Sequence, residues 1–302
     1  MHLLLMALLI LAFLALLILL AGSWYLSGVV ALSRRASLER ARKNETEQGG
    51  YGDFDALEKR DYIIRASDGY ELHAQHIPAA GESDRYVVIT HGYGYNRIGS
   101  VKYVHLFRRM GFHCVIYDNR GHGENVRTHV TMGKREHRDL LCVIADTRRR
   151  FSVGCLGLHG ESMGSATSVM ALGARPPVDF LVSDCGYADL TLLLRDLIGK
   201  EYRLPAWLVY PASLMSRLRF GFGYGSVMPK DALAVSDVPA LFIHGAADTF
   251  VLPEHAQLFH EAARGRKRLL IIEGAKHAAA LRTDPVAYEA AVRAFLTDCG
   301  IL

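Results

Sequence analysis

Residues 3 to 33 carry no charged side chain, and the run "LLLMALLILAFLALLILLAG" within them is almost wholly aliphatic. About 20 apolar residues at roughly 1.5 Å each cover a hydrocarbon layer of about 30 Å, so the pattern predicts a transmembrane helix over 1–33. A cleaved signal peptide is the alternative, with "ALS" as its cleavage site. Such segments favour a basic start and a shorter apolar stretch, whereas this one starts "MHLLL". The pattern then turns polar and glycine-bearing over 34–59, which reads as a linker or membrane-proximal helix. From residue 60 it changes again. "DYIIRA" and "YELHAQHI" alternate around Ser67-Asp68-Gly69, the signature of a hairpin with a tight turn. "RYVVIT", "FHCVIYD", "VGCLGLHG", "VDFLVSD", "VPALFIHG" and "KRLLIIEG" are nearly continuous apolar runs, as strands buried on both faces are.

Segments with helical apolar spacing lie between most of these runs, among them "SVKYVHLFRRMG", "EHRDLLCVIADTRRR", "MGSATSVMALGA" and "PEHAQLFHEAARG". Strand and helix in alternation predict an α/β domain over 60–302, a mostly parallel sheet with helices on both faces. The stretch between Asp184 and Val238 is too long for an ordinary crossover. Its apolar and aromatic content predicts a helical cap inserted at about 187–233.

Charge adds an orientation. Arg34, Arg35, Arg40, Arg42 and Lys43 directly follow the apolar span. By the positive-inside rule they place the α/β domain on the cytoplasmic side, and they suit anionic lipid headgroups. This cluster accounts for much of the net charge of +4, and no basic stripe interleaved with aromatics follows it. Nucleic acid is therefore not an expected partner. The five cysteines form no CxxC pair and show no metal-ligand spacing, so no metal is expected.

The chemistry concentrates at ends of predicted strands. "GESMG" places Ser162 between Gly160 and Gly164, after a strand-like run and before a helix-like one. A serine on that sharp turn exposes its oxygen at the carboxyl edge of the sheet, and glycines tolerate the tight backbone. A serine hydroxyl needs a base, and the base an orienting acid. His277 follows the last predicted strand, and Asp248 stands in the loop after the strand before it. Asp184, at the end of "FLVSD", competes with Asp248 for the acid's place. His159 lies within the strand that delivers the serine and reads as a buried structural residue. The backbone N–H groups of Tyr93, in "THGYG", and of Met163 are candidates for an oxyanion hole. In "YDNRGHGEN" Asp118 and Arg120 read as pairing with each other or with backbone, and His122 as structural. Phe220, Phe222 and Tyr224 are candidates to line an apolar pocket under the cap, with packing of cap against body as the equal alternative.

Taken in order, "HGYG", "YDNRGHGEN", "GESMG", "VPALFIHGAADTFVLP" and "EGAKHA" resemble the α/β-hydrolase superfamily. The likeness covers roughly Asp61 to Leu302 and is to the serine-hydrolase branch that holds membrane-anchored or secreted bacterial esterases and the serine aminopeptidase-like group. One departure is Leu252, where related sequences often carry a second proline. The resemblance implies Ser162 as nucleophile, Asp248 as acid, His277 as base, and Tyr93 and Met163 as oxyanion donors. It implies two-step acyl transfer without a cofactor, on a small-molecule or lipophilic ester. A peptidase or thioesterase on the same residues, and a membrane-tethered binding protein without catalysis, are the alternatives.

Overall fold

The computed structural model describes residues 1–32 and 35–302; Ser33 and Arg34, the latter the first cation of the basic cluster, lie outside the described residues. Eight strands form one sheet: β1 (Arg60–Arg65), β2 (Glu71–Ile77), β3 (Arg85–Thr90), β4 (His113–Tyr117), β5 (Cys155–Glu161), β6 (Phe180–Asp184), β7 (Ala240–Gly245) and β8 (Lys267–Ile272). Their spatial order is β1-β2-β4-β3-β5-β6-β7-β8. The hairpin forms as the alternation predicts, with Arg65 opposite Glu71 across the Asp68-Gly69 turn, and β2 meets β4 antiparallel. All pairs from β4 through β8 are parallel. The direction of winding reverses around β3, which pairs with both β4 and β5. A crevice opens at the carboxyl ends of the strands beside such a reversal.

Eleven α-helices occur among the described residues: α1 (His2–Ala31), α2 (Leu38–Glu47), α3 (Val101–Arg109), α4 (Glu136–Arg150), α5 (Met163–Leu172), α6 (Leu190–Glu201), α7 (Val209–Phe220), α8 (Pro229–Leu233), α9 (Glu254–Ala262), α10 (Ala280–Thr283) and α11 (Pro285–Asp298). One face of the sheet packs against α3 and α11 through Val104, Phe107, Val292 and Phe295. The other packs against α4, α5 and α9 through Leu140, Ile144, Val169 and Phe259. Fully burying each such side chain contributes about 1.5 to 3 kcal/mol. The charge placement of α4 fits its dipole: Glu136 and Asp139 stand in its first turn, and Arg148, Arg149 and Arg150 in its last.

Two segments that sequence treats as accessories dock onto this body. In α2, capped by the Ser37 hydroxyl, Ala41 is buried, and buried Glu45 pairs with Arg282 at 2.6 Å. In α1 the most apolar part is exposed along its length, while Ser23, Leu26, Ser27 and Ala31, spaced to share one face, are buried at its end. Its 30 residues span about 45 Å at 1.5 Å each, more than a hydrocarbon layer of about 30 Å needs. The surplus packs along α7. Between β6 and β7 the chain leaves the sheet to form α6, α7 and α8.

Candidate active site

The turn from β5 into α5 fixes the first group. Ser162 sits at φ 55° and ψ −116°, outside the regions a side-chain-bearing residue readily adopts. Its neighbours make this possible. A Cβ on Gly160 would lie 2.3 Å from the Gly164 carbonyl oxygen, and one on Gly164 would lie 2.0 Å from that of Thr90, so neither position admits a side chain. The Ser162 N–H donates to the Asp184 carbonyl at 2.9 Å, which ties the elbow to β6. Met163 opens α5, so its N–H has no acceptor within the helix and stands at the positive end of the dipole.

His277, in the loop after β8, lies with Nε2 3.0 Å from Ser162 Oγ and Nδ1 2.7 Å from Asp248 Oδ2. Asp248 lies in the loop after β7. Its Oδ1 accepts the N–H groups of Phe250 and Val251, both at 2.9 Å, and His244 Nε2 stands 3.3 Å from Oδ2. Burial works against its charge, but the hydrogen bonds and charge of His244 and His277 outweigh burial and hold the carboxyl well below the usual range. Cys185 completes the surroundings, with its sulfur and the ligating atoms of Asp248 and His277 all within 4.8 Å of one another. Burial and the nearby carboxylates of Asp184 and Glu161 push this thiol far up, so it stays protonated. These three residues are the donor cluster among the described residues close enough to share an ion.

The remaining candidates divide. The Asp184 carboxyl turns beneath the elbow, 2.9 Å from the Tyr103 hydroxyl and 3.0 Å from that of Tyr288. His159 is fully buried, its ring 3.9 Å from that of Tyr103 and its Nε2 3.1 Å from the Tyr288 hydroxyl; burial lowers it to about 3. Glu161, the residue before the serine, is buried in an ion pair with Lys102 and accepts from Tyr103 at 2.7 Å. Lys102, Tyr103, Glu161, Asp184, His159 and Tyr288 thus form a connected polar floor under Ser162. Sequence reading missed it, although the charge of Glu161 inside "GES" and the lysine in "VKY", within a helical run, were its available signals.

Tyr93 stands beside the serine, following Gly92, whose Cβ would fall 3.5 Å from that of Ser162. Its phenol oxygen lies 2.8 and 2.7 Å from the carbonyls of Val29 and Val30 in α1. Buried histidines hold this loop: His91 Nε2 accepts the Asn119 N–H at 2.8 Å, and His122 Nε2 accepts that of Gly94 at 3.2 Å. Burial lowers them to about 4 and about 3. Asp118 and Arg120 do not pair with each other. Asp118 takes the backbone alternative, accepting the N–H groups of Arg97 and Glu124 at 2.8 and 3.0 Å besides pairing with the Arg97 guanidinium, while Arg120 bridges Asp68 and Asp139.

Above Ser162 lies a cavity of about 580 Å³. Its walls include Leu193, Leu194 and Leu197 of α6, Met132, Tyr187 and Phe250, together with Leu26, Val29 and Val30 of α1. None of its lining side chains among the described residues is charged. Of the three aromatics expected here, only Tyr224 reaches it. Phe222 packs beside Tyr224 with ring centroids 6.2 Å apart, and the Phe220 ring lies tilted against that of His129, with centroids 5.4 Å apart. Gly221, left-handed at φ 77°, ends α7 between the two phenylalanines.

Comparison with known proteins bears on this arrangement. The profile of a family described as serine aminopeptidase, S33, matches residues 81–209. The uncharacterized protein YqkD of Bacillus subtilis is 31% identical over 278 residues, spanning 90% of this chain and 91% of that protein. Among solved structures, the Pyrococcus furiosus esterase Pf2001 superposes with a TM-score of 0.67 at 21% identity, covering 82% of this chain and 93% of its own. Est1E from Butyrivibrio proteoclasticus, solved with ferulic acid bound, gives 0.64 at 18% identity, with 78% and 98% covered.

Proposed function

The chain belongs to the α/β-hydrolase superfamily, in its serine-hydrolase branch, and from that premise we propose that it is a membrane-anchored hydrolase of carboxylic esters acting through Ser162, His277 and Asp248. The observation that carries the reading is the unbroken hydrogen-bonded line from Asp248 through His277 to a serine on a strained turn at the base of an apolar cavity.

In this reading His277 Nε2 takes the Ser162 proton as Oγ attacks the ester carbonyl. Asp248, held ionised, accepts from Nδ1–H and stabilises the imidazolium that forms. The N–H groups of Tyr93 and Met163 receive the developing oxyanion. The alcohol departs with the proton from His277. Water, deprotonated by the same imidazole, then releases the acid and restores the serine. The chemistry requires no metal or organic cofactor. α1 is the anchor, and the basic cluster after it sets the domain on the cytoplasmic side.

Esters are favoured over peptides by the lining of the cavity. An aminopeptidase pairs the ammonium of its substrate with an anion, since a buried unpaired charge is costly, and the cavity presents none among the described residues. A fluorophosphonate should label the chain and fail on Ser162→Ala. Turnover of p-nitrophenyl acyl esters should exceed that of aminoacyl anilides; faster anilide cleavage assigns a peptidase, and an unlabelled but folded chain a binding protein.

A further inference from the structure

Resting on the reading of the chain as an anchored ester hydrolase, we propose that α1 is a wall of the substrate pocket as well as the anchor, and that the pocket takes the acyl chain of a bilayer-resident ester through the cleft between α1 and α6–α7. Leu26, Val29 and Val30 then help to set which acyl chains are accepted.

Four observations support this. First, the cavity that holds Ser162 is closed on one side by α1 itself, through those three residues. The contact is secured by polar pins: Tyr93 reaches the Val29 and Val30 carbonyls, and Arg219 of α7 donates to the Ser27 hydroxyl at 2.7 Å while its guanidinium lies 3.5 Å from the centre of the Trp24 ring. Removing α1 would remove a wall. Second, the cavity adjoins a groove on the outer side of α1. A neighbouring groove lined by Trp24, Tyr25, Gly28 and Arg219 shares Val29, Tyr93 and Tyr202 with it, so among the described residues these side chains stand between the two spaces.

Third, the surroundings of that cleft suit lipid better than water. Trp24 and Tyr25 are exposed just beyond the most apolar part of α1, where aromatic side chains mark a headgroup boundary. On α7, Val209, Ala212 and Ser216 face inward, whereas Tyr210, Leu214 and Leu218 form an outward row, Leu218 being 74% exposed. A helix at a water-facing surface carries polar residues on its outer side. This row instead continues the exposed apolar surface of the helix it packs along. Fourth, the uncharged walls match an acyl chain, and Ser162 stands among them.

The test uses the full chain reconstituted in phosphatidylcholine vesicles. Ser162 Oγ attacks the phosphorus of a long-chain alkyl fluorophosphonate that carries a diazirine along its tail, forming a P–O bond and expelling fluoride to solvent as His277 takes the hydroxyl proton, and the adduct is then irradiated. Crosslinks within residues 26–30 are expected, and crosslinks confined to the other walls would overturn the assignment. Val29→Trp should lower the ratio of kcat/KM for p-nitrophenyl palmitate over butyrate by about tenfold, as filling an apolar pocket does. A ratio unmoved in a folded variant counts against the wall. Should Val29→Trp fail to fold, Val29→Ala serves, with the ratio expected to rise. Palmitate ester placed in the enzyme's own vesicles should be cleaved faster than the same ester in separate vesicles; equal initial rates reject access from the bilayer. A wild-type chain that neither takes a small fluorophosphonate nor cleaves the butyrate rejects the hydrolase reading itself, a result distinct from each of these.

Discussion

Below Ser162 lies a floor of charges and hydroxyls, and above it a roof without a charge. The floor draws on α3, β5, β6 and α11, and each polar side chain in it is locked against another. The roof draws on α1, α6 and the turn after α7, and is built of aliphatic and aromatic side chains. Directional bonds hold one geometry, so the floor suits the task of fixing the strained elbow. Apolar contacts are non-directional and tolerate changes of shape, so the roof suits the task of choosing a substrate. Substitutions in the two should therefore fail in different ways.

The most severe loss is expected between the two layers. His277→Ala should cut ester turnover by at least about 10⁴-fold while leaving the melting temperature near that of the wild type, and Asp248→Asn should approach the same loss. Kinetics and thermal unfolding on the same samples check both. A mild effect of His277→Ala with a severe one of His159→Ala would reverse the assignment of the base.

The floor comes next. Lys102→Met leaves Glu161 buried without its cation, and removing one partner of a buried pair costs about 3 to 5 kcal/mol. The expected result is a large fall in unfolding midpoint. Little change would mean that the floor is not a stability element and would dissolve the contrast.

The roof should respond in selectivity. Leu194→Trp, on the α6 side, is expected to shift preference toward short acyl chains by about tenfold in the ratio of kcat/KM values. Its effect on unfolding should remain well below that of Lys102→Met. A chain-length series read beside thermal melts checks this.

The smallest effect is in pH. The folded state holds His159 and His122 neutral down to about 3, and His91 down to about 4. An unfolded histidine binds its proton near pH 6.5. Between pH 6.5 and about 4 the unfolded chain therefore carries more protons at these positions, and their contribution to stability falls as pH falls. Melting temperatures taken across this window should show the slope, and His159→Phe, which keeps a ring against Tyr103, should make it shallower.

What could be read from sequence was what is local. The strand runs, the Asp68-Gly69 hairpin, the long β6–β7 excursion and the elbow around Ser162 each depend on a few adjacent residues. The approach of Ser162, Asp248 and His277 followed from one rule, that loops at the carboxyl edge of a parallel sheet converge. The floor escaped because Lys102 and Tyr288 are brought to Glu161 and Asp184 only by packing of α3 and α11, and their spacing in sequence carries no period. Phe220 and Phe222 could be read from sequence as pocket lining or as cap packing, because aromatic composition says nothing of direction. α1 was read from hydropathy alone, and hydropathy does not distinguish a turn that meets lipid from one that meets protein.

The docked end of α1 bears on how such a protein is handled. Deleting an N-terminal apolar helix is a common route to a soluble preparation. Here it would strip three side chains from around the cavity and let bulk water reach Ser162 from the side. On the proposed ester-hydrolase reading, the soluble remainder would turn over small, reactive esters and lose its discrimination among long ones, so an assay on it would describe a less particular enzyme than the intact chain.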